Sequence, residues 1–104
     1  MKRIFISGGV SIDPDYMEKF AQAEEFLSVE FDDYVVVNPA RIMAELPPDT
    51  EYAQFIKIGL SLLDTCEEIY MLSDWKSSQG AQLEYQYAKC MGISIRFQKE
   101  ENYD

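Results

Sequence analysis

The chain has no histidine and only two cysteines among its 104 residues, and its 9 basic residues are outnumbered by 19 acidic ones. Without histidine there is no Ser-His or Cys-His nucleophile pair, and zinc loses its commonest ligand. Cys66 and Cys90 lie far apart in no CxxC arrangement, and both are expected to be reduced, buried small hydrophobes. No metal and no cofactor is expected. A formal charge of −10 argues against binding a nucleic-acid polymer, because phosphate neutralisation draws on clustered Lys and Arg. A small ligand stays compatible, with any anionic part held by backbone N–H groups. No apolar run approaches the roughly 18 residues of a membrane helix, and MKRIFISGG turns polar too early for a signal peptide. The expected location is therefore cytoplasmic, with no membrane partner. Catalysis is left to carboxylates, hydroxyls, tyrosines and lysines.

What the chain does have is 47% hydrophobic and 13% aromatic residues, the composition of a folded domain with one core. Ile4-Phe5-Ile6 reads as a first strand closing into Ser7-Gly8-Gly9. Asp13-Pro14 supplies an N-cap and an N1 proline for a helix whose Tyr16, Phe20, Ala23 and Leu27 share one face. Tyr34 to Val37 is a β-branched run of the kind buried on both faces. A second long helix uses Tyr52, Phe55, Ile56, Leu60 and Leu63, and Glu68 to Leu72 follows as a strand. Ser77 to Gly92 is a helix stopped by a left-handed glycine, before a last strand at Ile93 to Phe97. The order βαβαβαβ predicts an α/β fold: three layers, a four-stranded parallel sheet in the order 2-1-3-4, Rossmann-like or flavodoxin-like. Residues 1–98 form this single domain, and 99–104 are expected as a flexible acidic tail.

Ligands of such sheets settle at the carboxyl ends of the strands, near the reversal of strand order. Three polar loops leave the strands there: Ser7-Gly8-Gly9, Asn38 to Arg41, and Ser73 to Ser78. The Gly-Gly turn reads equally as a tight turn or as backbone brought close to a ribose or phosphate. In the last helix Gly80, Leu83, Glu84, Tyr87, Ala88 and Met91 form one stripe, which puts an acid on the apolar side. Helical side chains lean toward the N-terminus, so the Glu84 carboxylate is expected over Gly80, in a gap facing Ser77 and Ser78. A buried carboxylate needs donors or a cleft. The alternative is a Glu at the margin of the stripe, bonded to a tyrosine or a loop amide.

The run Ser78-Gln79-Gly80-Ala81-Gln82-Leu83-Glu84, with the strand Glu68 to Leu72 before it and Gly92-Ile93 after it, resembles the S-x-G-A-x-x-E signature of the nucleoside 2-deoxyribosyltransferase-like superfamily. More narrowly it is similar to a branch of small proteins from phage and bacterial genomes, which Ile4 to Gly8 and Val37 to Ala40 also match. The resemblance implies that Glu84 is a nucleophile that attacks the anomeric carbon of a 2-deoxynucleoside, expels the base and holds the sugar as an ester. Asp74 is then the candidate acid for the departing base or a turn aspartate, and Trp75 stacks on a base or covers the core. Ser7, Gly8, Gly9, Asn38, Trp75, Ser78 and Gly80 are the expected substrate contacts. Relatives usually carry an aspartate about where Gly59 stands. They are also longer and complete each site from a neighbouring subunit, so a homo-oligomer is expected. The functions in view are N-glycosidic cleavage or base exchange on a 2-deoxynucleoside or its monophosphate, and a non-catalytic module binding a nucleotide-derived metabolite. A purely structural domain would show no cleft at Gly80.

Overall fold

The structure is a computed structural model describing residues 1–99; the expected acidic tail falls almost wholly outside the described residues. Four strands, β1 (Lys2–Ser7), β2 (Tyr34–Val37), β3 (Glu68–Met71) and β4 (Ser94–Phe97), pair in parallel in the order β2-β1-β3-β4. The helices are α1 (Tyr16–Glu30), the short α2 (Pro39–Ala44), α3 (Tyr52–Leu63) and α4 (Gln79–Met91), with a 3-10 turn at Trp75–Ser77.

Alternation along β1 divides the interior in two. Ile4 and Ile6 face one way and pack with Phe20, Ala23 and Leu27 of α1. Phe5 faces the other way, with Leu63 of α3 and Ala81 and Ala88 of α4. β1 and β3 run through the middle and are buried on both faces. Burying a side chain such as Phe20 or Leu27, at 1% and 0% exposed, contributes roughly 1.5–3 kcal/mol.

Three local expectations change. α1 begins at Tyr16 rather than Pro14, because Asp13 closes a preceding turn: its carboxylate accepts from the Asp15 N–H at 2.9 Å and its carbonyl from the Tyr16 N–H at 3.2 Å. β2 is an edge strand with Val35 exposed, so its β-branched run reflects strand preference rather than two covered faces. Cys90 is exposed while Cys66 is buried, and both are free. Gly92 does end α4 with φ +75°, and its N–H caps the Ala88 carbonyl. Among the described residues no helix is long and apolar enough to cross a membrane.

Candidate functional site

β1 and β3 are neighbours although a long stretch of chain separates them, which makes their carboxyl ends the point where strand order reverses. The register pairs Ser7 with Met71 at that edge. Ser7 is 1% exposed, and its hydroxyl donates to Oε1 of Glu84 at 2.6 Å. α4 reaches this point because Ser78 caps it: the Ser78 hydroxyl accepts from the Ala81 N–H at 3.1 Å.

Glu84 is 9% exposed. Burial pushes its carboxyl up to about 7, with the Ser7 hydroxyl pulling the other way. The side chain does not lie over Gly80, whose vacant Cβ position is nearest Ile56 at 3.4 Å and the Tyr52 hydroxyl at 3.7 Å. It turns sideways instead, toward β1 and α3. Oε2 comes to rest 2.7 Å from where a Cβ on Gly59 would stand. The buried face of α4 is accordingly Ala81, Glu84 and Ala88, while Leu83 and Met91 of the expected stripe are exposed.

Glu84 opens on a cavity of about 310 Å³ between α1, α2, α3 and the start of α4. Gly8, Ser78 and Gly80 line it with Glu84, so a cleft exists at Gly80. Its remaining wall is mostly apolar, with Ile6, Val10, Phe20, Met43, Phe55 and Ile56, and its edges carry the hydroxyl-bearing Ser11, Tyr16 and Tyr52. Among the described residues no Lys or Arg lines it. Several wall residues carried no site signal of their own in the sequence. Phe20, Phe55 and Ile56 were legible only as core positions, because one helix face supplies both core and cavity wall.

The other expected contacts are engaged elsewhere. Asp74 Oδ1 accepts from the Gly9 N–H at 3.1 Å, and Oδ2 pairs with Lys19, whose ammonium also donates to the Gly9 carbonyl at 2.9 Å and pairs with Asp13 at 3.1 Å. Asp74, Lys19 and Gly9 thus form a latch behind the Gly8 loop. Asn38 caps α2, accepting from the Ala40 N–H at 3.1 Å and donating to Glu24 at 3.0 Å. Trp75 packs on Tyr85 and Phe97, with ring centroids 4.5 and 5.9 Å away. None of Gly9, Asn38, Asp74 and Trp75 is a lining residue of the Glu84 cavity.

The family model described as a domain of unknown function, DUF4406, matches residues 2–97. The chain belongs to this family. The S-x-G-A-x-x-E run from Ser78 to Glu84 lies within the matched residues. A solved structure of a 2-desoxiribosyltransferase from Leishmania mexicana is similar, with a TM-score of 0.69 and 19% identity over 93% of this chain and 63% of that one. At that identity the likeness establishes the shared α/β fold. The chain spans less than two thirds of the length of that enzyme. Among curated proteins no match is found.

Proposed function

We propose that the protein cleaves or exchanges the N-glycosidic bond of a 2-deoxynucleoside, with Glu84 as nucleophile. The observation that carries this reading is the single buried carboxylate at the reversal of strand order, hydrogen-bonded to Ser7 and opening on a cavity of about 310 Å³. The family membership and the fold of the Leishmania mexicana enzyme support it.

In this reading an oxygen of the ionised Glu84 attacks the anomeric carbon while the bond to the base breaks. The bonding pair leaves on the base nitrogen, which takes up a proton. Water or a second base then displaces the carboxylate from the ester and restores it. Desolvation makes the carboxylate reactive, and the Ser7 hydroxyl orients it. The rings of Tyr16, Phe20 and Phe55 offer flat apolar surface for a base. Protonation of the base by Asp74 requires its Lys19 pair to open first. The lack of Lys and Arg in the described lining favours the uncharged nucleoside over its monophosphate. A homo-oligomer in which a second copy closes the mouth is part of the proposal.

The test is intact-protein mass measurement after acid quenching of a mixture with 2-deoxynucleosides. A mass gain of one deoxyribosyl group is expected for wild type and not for Glu84→Ala. A second reading, a non-catalytic module that binds a nucleoside-derived metabolite, is favoured by one observation: Asp74, the expected acid, has both oxygens engaged by donors. Tight nucleoside binding without any adduct or released base would select it.

A further inference from the structure

Gly59 lies inside α3 and is buried. An interior helical glycine costs about 1 kcal/mol relative to alanine, so its presence asks for a reason. Backbone conformation does not supply one, since the only positive-φ glycine among the described residues is Gly92. Space does. A Cβ at position 59 would stand 2.7 Å from Oε2 of Glu84 and 3.5 Å from the methyl group of Met43.

The geometry points to Gly59 as a positioning residue: its missing side chain is the notch that lets the Glu84 carboxylate rest against α3, with one oxygen on Ser7 and the other facing Gly59. The relevance of the notch to bond cleavage rests on reading Glu84 as the nucleophile, but the notch itself does not. An added methyl group would press on the far end of a rotatable side chain rather than on backbone, and the cavity is the open direction for that side chain to move. There it meets water, which relieves the burial that raises its carboxyl.

Ser7 from β1 and Gly59 from α3 face the Glu84 carboxylate, Met43 from α2 lies beside the notch, and Tyr16 and Tyr52 line the same cavity. Among the described residues no second carboxylate and no cation lines that cavity, and Lys19, Asp13 and Asp74 are occupied with one another and with Gly9. Burial and the Ser7 bond therefore govern its titration, and a displacement that moves Oε2 from the notch while Oε1 stays on Ser7 lowers the midpoint.

The experiment is a pH titration of the Glu84 side-chain carboxyl by carbon-13 NMR on the whole protein, assigned by loss of the signal in Glu84→Gln. Gly59→Ala is expected to lower the titration midpoint by about one pH unit or more, and Ser7→Ala to raise it. A midpoint unchanged or raised in Gly59→Ala overturns the proposal. A double-mutant cycle gives an independent reading. Gly59→Ala should raise the unfolding midpoint in a Glu84→Ala background and raise it less, or lower it, in wild type; additive effects also overturn the proposal. Neither readout uses a substrate. An absent adduct therefore leaves the notch standing, and an unmoved titration leaves the nucleophile standing.

Discussion

The hydroxyl of Ser7 and the carboxylate of Glu84, 77 positions apart in sequence, meet at 2.6 Å in the interior. β1 ends where its last residue can hold an acid that α4 aims across the sheet edge. The carboxylate is raised because burial disfavours its charge more than one hydroxyl donor can offset.

That balance makes Glu84 a pH-dependent weak point. A carboxyl raised from 4.5 to about 7 is protonated in the native state while ionised in the unfolded chain, so the native state binds more protons between those limits. Stability therefore falls as pH rises through this window, by on the order of 3 kcal/mol, and levels off above it. Asp13, bonded to the Asp15 N–H and Lys19, and Glu68, where Arg96 and Tyr34 outweigh burial, are both held below the usual carboxylate range and act at lower pH with the opposite sign. Glu84→Gln should remove the decline and be more stable than wild type at pH 8. Urea unfolding of both proteins at pH 5 and pH 8 checks it; equal slopes would contradict it.

Lys19 carries the second prediction. Its ammonium joins Asp74, Asp13 and the Gly9 carbonyl, and this latch backs the loop whose Gly8 lines the cavity. Lys19→Met should cost about 1 kcal/mol of stability and speed exchange of the Gly9 amide about tenfold. Amide hydrogen exchange read at Gly9 and at buried Ile6 separates local loosening from global unfolding. Equal acceleration at both sites would contradict the latch.

Much of this fold is legible in local pattern. The alternation of apolar strands with amphipathic helices gives the parallel sheet and its order, and Gly92 gives the end of α4. The phase of α4 was not so legible. Leu83 and Met91 continue a helical stripe as well as Ala81 does, and only the position of α3 decides which side is covered. The pairing of Glu84 with Ser7 and Gly59 is non-local: three elements each contribute one residue, and spacing along one helix carries no trace of the other two. Lys19 reads as part of a wet helix face until the loops beyond β1 and β3 fold over it.

The cavity's chemistry sets a preference among ligands. A phosphate dianion entering beside Glu84 finds no Lys or Arg in the described lining, and burying an unpaired charge is costly. A 2-deoxynucleoside should bind at least about tenfold more tightly than its 5′-monophosphate, a difference of about 1.4 kcal/mol. Calorimetry with both compounds at pH 7 measures the ratio. Equal or tighter binding of the monophosphate would place a cation from a second copy at the mouth.

If Glu84 acts in its ionised form, kcat/KM for base release should rise through a limb centred near its raised value of about 7. A rate independent of pH across this limb would assign the rate-limiting step to another group.

The most direct measurement is release of free base from 2-deoxynucleosides, quantified by chromatography for wild type and for Glu84→Ala under the same conditions. The account predicts release by wild type and a loss of roughly 10³-fold or more on removing the carboxylate. No release by wild type, or equal release by both proteins, would contradict it.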